Sequence, residues 1–307
     1  MLSYKARMFL FLIKHAHWFQ LQLKRKPFDA SPEGIAKFRK RVDNPSGLFG
    51  KMPKGIVVEP IQIDNLDAEW MRPEGITTKK NILYFHGGMY VCGSPKGHRS
   101  HVAKFVKGSK ANALVFDYRL APEHPFPAGL NDAVSAYNYL LDQGVSPQSI
   151  VFVGDSAGGG LCLAALLALK EKGLPLPAGA VALSPWTDLT LSGASHQINE
   201  AVCLSPIGCA QACSRFYAGE QDSSNPLISP LFGDLSGLPP IRIYVGSDEI
   251  LLDDSVRYAE KAEQSGVDIH LTVGDGLFHC YPVCAPAFPE ATQAMEEILD
   301  FISSVTH

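Results

Sequence analysis

Short apolar runs punctuate the chain at residues 82–85, 113–118, 150–153, 180–183, 241–245 and 269–273. Continuous apolar runs of this length fit strands covered on both faces, as in a parallel sheet. Helical patterns follow most of them, at about 97–107, 128–143, 157–172 and 255–265, and a last one covers 288–303. Gly108, Gly144, Gly173 and Gly266 stand near helix ends, where glycine suits a left-handed cap. Upstream, residues 56–63 alternate and 69–71 should pair with them, while 4–28 read as one or two amphipathic helices. Strand–helix alternation predicts an α/β fold with a mostly parallel central sheet flanked by helices.

One interval breaks the rhythm. Residues 184–240 hold no clear strand, and about 189–224 carry apolar and aromatic residues, including Phe216 and Tyr217, at loosely helical spacing. An insertion of this kind over the carboxyl end of a sheet is where a lid sits. The expected organisation is an N-terminal helical arm (1–54) contributing to a helical cap, and a core (55–307) with the cap insertion at 189–224. Charge supports the division: residues 1–54 carry a net +9 and the remainder −13. The plainer reading of this asymmetry is an arm docked on its own acidic body. Peripheral contact with a membrane surface is the alternative. No apolar run reaches the ~20 residues of a membrane span, and no secretory signal or nucleic-acid motif is present. Seven scattered cysteines, an odd number, read as reduced thiols of a cytoplasmic protein. Cys203, Cys209 and Cys213 lack a CxxC or HxxxH partner, so no metal and no cofactor is expected.

The chemistry centres on Gly154-Asp155-Ser156-Ala157-Gly158, a G-x-S-x-G pattern between a buried strand and an apolar helix. Such an elbow needs small neighbours, because the serine sits in strained backbone. Ser156 is the candidate nucleophile and requires a base. Among ten histidines, His270 lies in a strand run, His15 and His17 lie in the arm, and His307 is terminal. His279 lies in a loop after the last strand, where a hydrolase of this topology presents its base. The imidazole needs an orienting carboxylate. Asp248 directly follows the 241–245 strand and is the expected acid. Glu249, Asp253 and Asp254 compete, the last two looking like caps of the next helix, and Asp188 is the second choice. His86-Gly87-Gly88-Met89, after the 82–85 strand, fits an oxyanion loop, and the N–H of Ala157 would complete the hole.

These blocks, with Asp117-Tyr118-Arg119-Leu120-Ala121-Pro122-Glu123 and Ser184-Pro185-Trp186, run in the order of the bacterial hormone-sensitive-lipase family of α/β-hydrolase esterases, which the chain resembles. The resemblance covers about residues 80–282. It implies the α/β-hydrolase fold and a Ser-His-Asp triad of Ser156, Asp248 and His279. Oxyanion donors would be the N–H groups of Gly88 and Met89 with that of Ala157, Gly87 being adjacent. The family usually has glycine where Met89 stands. An N–H survives that change, and the side chain is expected near the acyl site. Met89, Tyr90, Phe216 and Tyr217 are the candidate substrate-binding residues. The implied function is hydrolysis of small carboxylic esters of short to medium acyl length, by a homodimer joined through an edge strand. An amide hydrolase or deacetylase using the same triad is the alternative, and a non-catalytic ligand-binding relative is a weaker one.

Overall fold

A computed structural model describes residues 2–14, 27–43 and 52–306. The later part of the predicted 4–28 helical stretch, with His15 and His17, lies outside the described residues, as does His307. Eight strands form one sheet: β1 (Ile56–Ile63), β2 (Leu66–Pro73), β3 (Asn81–Phe85), β4 (Asn112–Phe116), β5 (Ile150–Asp155), β6 (Gly179–Leu183), β7 (Ile241–Gly246) and β8 (Ile269–Gly274). Their order is β1-β2-β4-β3-β5-β6-β7-β8. The β1–β2 and β2–β4 pairs are antiparallel and every pair from β4 through β8 is parallel.

Strands β3 to β6 are buried at every position. This is what their unbroken apolar runs require: helices cover both faces, so no residue can be polar by alternation. One layer holds α4 (Ala128–Asp142), α5 (Ala157–Glu171) and α8 (Leu252–Gln264), packed on Leu83, Phe85, Phe116 and Phe152. The other holds α1 (Tyr4–Lys14), α3 (Pro95–Ser109) and α9 (Pro289–Val305), against Ile82, Tyr84, Val115 and Val153. Strand β8 forms an edge and is half-exposed. Gly144, Gly173 and Gly266 take positive φ at helix ends. Gly108 does not: α3 runs past it to a left-handed Lys110, and a Cβ on Gly108 would come within 2.3 Å of Leu299 Cδ1 on α9. That glycine permits close helix packing.

The arm and the interval after β6 meet. In the arm, α2 (Pro32–Val42) is capped by Ser31 Oγ, which accepts the Gly34 N–H. The interval contains α6 (Ser195–Ile198) and α7 (Cys209–Ala218), and no strand among the described residues. The Phe28 N–H donates to the Ile207 carbonyl at 2.9 Å, joining arm to insertion. The arm also rests on acidic residues of the core. Ser3 donates to Glu290 through its N–H at 2.6 Å and its hydroxyl at 2.8 Å, and Arg39 pairs with Glu123. Among the described residues, no helix is long and apolar enough to cross a membrane.

Candidate active site

Ser156 joins β5 to α5 with φ 57° and ψ −124°, a backbone state that costs a side-chain-bearing residue about 1–3 kcal/mol. Its surroundings hold it there. The Ser156 N–H donates to the Leu183 carbonyl at 2.7 Å, and its carbonyl accepts N–H groups of Gly160 and Trp186, both at 3.1 Å. The elbow is so tight that a Cβ on Gly158 would lie 2.1 Å from the Phe85 carbonyl oxygen. That contact shows how closely the loop after β3 approaches the start of α5.

Gly87 is drawn to the same place by Asp155, the residue before the serine. Asp155 Oδ1 accepts the Gly87 N–H at 3.0 Å and the Tyr84 hydroxyl at 2.8 Å. Burial works against this carboxylate, but His98, His101 and Tyr84 outweigh it and hold its pKa below the ordinary range. Gly88, Met89 and Tyr90 then take φ of 130°, 56° and 62° in succession. The loop is closed by Val91 and Cys92 N–H groups donating to the Gly88 carbonyl at 3.0 and 2.9 Å. Among the described residues, the N–H groups of Gly88, Met89 and Ala157 meet no protein acceptor outside regular secondary structure. The N-terminus of α5 adds its positive end beside them. His86 is fully buried, stacked on Tyr118 at 4.2 Å, and burial pushes its pKa down to about 3. It braces the loop as a neutral ring.

His279 follows β8 in the loop before a short 3-10 turn (Tyr281–Cys284). The next residue fixes its location: Cys280 Sγ lies 3.6 Å from the Leu183 carbonyl, which also receives the Ser156 N–H. The expected acid must be corrected. Glu249, not Asp248, faces the imidazole, with Oε2 2.5 Å from His279 Nδ1. Glu249 is fully buried, and its Oε1 accepts the Ser184 hydroxyl at 2.7 Å and the Gly246 N–H at 2.6 Å. Ser184 Oγ also accepts the Cys280 N–H at 2.9 Å, so one hydroxyl ties acid and histidine loop together. Asp248 stands one position earlier in the turn, where its N–H donates to the Leu277 carbonyl at 2.9 Å and Ser247 Oγ lies 3.3 Å from its Oδ1. Burial opposes charging His279, whereas Cys280 and Glu249 favour it, and its pKa is raised above 6.5. Burial also raises the Cys280 thiol, so that group stays protonated at neutral pH and the Glu249 carboxylate is the effective cause.

A profile of the α/β-hydrolase fold family matches residues 82–283. The chain is 40% identical over 268 residues to an acetyl-hydrolase of Streptomyces hygroscopicus, covering 86% of this chain and 88% of that one. It is 36% identical over 260 residues to an esterase of Acinetobacter venetianus, covering 84% and 85%. Crystals of EstE5 soaked with p-nitrophenyl butyrate contain a chain that superposes with TM-score 0.89 at 38% identity, covering 98% of each. An esterase of the bacterial hormone-sensitive lipase family superposes with TM-score 0.86 at 35% identity, covering 99% of each. The chain belongs to that family of α/β-hydrolases.

The remaining expected positions of this hydrolase divide. Tyr90 and Tyr217 are both buried and stack at 3.7 Å and 13°, joining the loop after β3 to α7. A Cβ on Gly160 would lie 2.8 Å from the Tyr90 hydroxyl, so this pair stands over the first turn of α5. Met89 and Phe216 are half-buried and pack against the same core. The competing acids have other partners. Asp188 accepts from Thr190, Ser192 and Arg257, and Asp254 from the Thr187 and Asp188 N–H groups, with His196 Nε2 2.8 Å away. Asp253 and Asp254 lie in the first turn of α8 after an N-cap at Leu251, so neither is the cap. None of the seven cysteines is joined in a disulfide. Among the described residues no three His, Cys, Asp or Glu side chains are grouped to hold a metal ion.

Proposed function

We propose that this hydrolase cleaves carboxylic esters of short to medium acyl length through Ser156, His279 and Glu249. The carrying observation is the 2.5 Å approach of Glu249 Oε2 to His279 Nδ1, in a loop anchored on the carbonyl that fixes Ser156. Nδ1–H donating to the carboxylate leaves Nε2 as the acceptor a serine proton needs. Ser156 Oγ attacks the acyl carbonyl while its proton passes to His279 Nε2. The oxyanion is met by the N–H groups of Gly88, Met89 and Ala157. His279 returns the proton to the leaving alkoxide as the C–O bond breaks, giving the acyl-serine and free alcohol. Water, deprotonated by the same imidazole, then releases the acid and restores Ser156. No metal or cofactor enters these steps.

The arm and the 189–224 insertion act as a cap, supported by the Phe28–Ile207 hydrogen bond and the Tyr90–Tyr217 stack. A closed cap favours small acyl groups, in keeping with a relative named an acetyl-hydrolase and a neighbour soaked with a butyrate ester. The arm's contacts with Glu290 and Glu123 favour docking on its own core over a membrane surface. Seven cysteines outside any disulfide fit a cytoplasmic setting, and the half-exposed β8 edge offers a surface for a homodimer. The test is a series of p-nitrophenyl esters from acetate to palmitate beside one anilide, with Ser156→Ala as control. Turnover that peaks at or below medium chain length and vanishes in the variant supports the proposal. A palmitate optimum, or faster anilide cleavage, overturns the substrate assignment.

A further inference from the structure

Three successive residues at positive φ, two bearing side chains, make the loop after β3 expensive to hold. Something outside it must over-determine its shape. Its downstream limb is gripped by the N-terminal arm. From α2, Arg39 Nε donates to the Val91 carbonyl at 2.7 Å and Nη2 to the Ala121 carbonyl at 3.0 Å. Nη1 and Nη2 also meet the two Glu123 oxygens at 2.8 and 2.7 Å, so Glu123 orients the fork. Both carbonyls belong to residues that restrain the loop, since the Val91 N–H donates to Gly88 at 3.0 Å and the Ala121 N–H to Tyr90 at 2.9 Å. A second latch comes from the residue after α2: the Ser94 hydroxyl donates to Asp43 Oδ1 at 2.7 Å.

We propose that Arg39 is a positioning residue for ester hydrolysis, holding the Gly88–Met89 donors in place from the N-terminal arm. A planar five-donor fork can serve two carbonyls and a carboxylate at once, which a lysine cannot. The arm then acts on kcat and not only on substrate entry. The inference rests on the oxyanion role proposed above.

The test pairs ester kinetics with inhibition by an alkyl trifluoromethyl ketone. Ser156 Oγ adds to that ketone, the C=O π bond breaks, the serine proton passes to His279, and the resulting oxyanion occupies the hole. Arg39→Met should lower kcat on p-nitrophenyl butyrate by roughly tenfold, KM should stay within about threefold, and the ketone Ki should rise in step with kcat. Arg39→Lys should fail to restore kcat. If Arg39→Met does not fold, Glu123→Gln carries the same test, with a few-fold parallel change expected. An unchanged kcat, or a fall in kcat without a change in ketone Ki, overturns the inference. Failure of the wild-type enzyme to bind the ketone would instead overturn the oxyanion assignment, so the two failures are distinguishable.

Discussion

Glu249→Gln is expected to cripple the enzyme while Asp248→Asn is nearly silent, although the two residues are adjacent. Glu249 Oε1 accepts two donors, the Ser184 hydroxyl at 2.7 Å and the Gly246 N–H at 2.6 Å, and Oε2 faces His279 Nδ1 at 2.5 Å. A glutamine can satisfy Ser184 and Gly246 only by placing its carbonyl oxygen there, which aims its NH2 at Nδ1. The imidazole then accepts at Nδ1 and carries its proton on Nε2, where it cannot take the serine proton. The flipped amide would set NH2 against the Gly246 N–H in a fully buried site. Each unmet donor there costs about 1–3 kcal/mol, so the inactive arrangement is favoured. The same tautomer error in a serine protease lowers kcat about 10⁴-fold, and a loss of roughly 10³–10⁴, or about 4–5.5 kcal/mol in barrier, is expected here. Asp248→Asn keeps its own backbone N–H on Leu277 and should stay within about threefold of wild type. The assay is kcat on p-nitrophenyl butyrate with melting temperatures for both variants. A severe loss in Asp248→Asn together with an active, folded Glu249→Gln would refute the reasoning.

Other consequences follow from the same geometry. The acid limb of kcat/KM should have its midpoint above 6.5, because His279 must be neutral to act as base and Glu249 raises its pKa; activity is lost as pH falls through that value. Residual activity of Glu249→Gln should show a lower midpoint, and an unmoved midpoint would count against the pairing. Met89→Gly should leave kcat for short esters within about tenfold, since the backbone donor stays and the left-handed φ of 56° suits glycine. It should shift the acyl-length profile, and an unchanged profile would place the side chain outside the pocket. Gly158→Ala would put a Cβ 2.1 Å from the Phe85 carbonyl oxygen and should cut kcat at least about 100-fold by displacing the loop; a near-wild-type variant would contradict that packing.

The central strands were legible because burial on both faces leaves an unbroken apolar run, and β3, β6 and β7 lie within one residue of those runs. Strand β8 also matches its run, but as a half-exposed edge strand it is not covered on both faces. The candidates Ser156 and His279 were legible for a related reason: Ser156 directly follows β5 and His279 stands in the loop after β8. The acid was not. Asp248 and Glu249 are adjacent carboxylates in an irregular turn after β7, where no periodicity says which side chain points inward. Only the turn's contact with the 274–280 loop decides it. A Cβ on Gly246 would lie 2.4 Å from the Leu277 carbonyl oxygen, and that close approach presents position 249 to the imidazole. Phe216 and Tyr217 were expected with Met89 and Tyr90 as substrate-binding candidates, but the arrangement of the rings was not visible. Tyr90 and Tyr217 are 127 positions apart, and sequence spacing carries no information that they stack. Arg39 was hidden likewise. It appeared as one of many basic residues in the arm, and its value lies in carbonyls of residues 91 and 121.

The most direct test of the central claim is the site of covalent labelling by diethyl p-nitrophenyl phosphate. Attack by Ser156 Oγ on phosphorus expels p-nitrophenolate and leaves a stable diethyl phosphoserine. Intact-mass and peptide analysis should find one such adduct per chain, on the peptide holding Ser156, with activity lost in proportion and Ser156→Ala unlabelled. Full inactivation with the label on another residue, or equal labelling of Ser156→Ala, would contradict the assignment of the nucleophile.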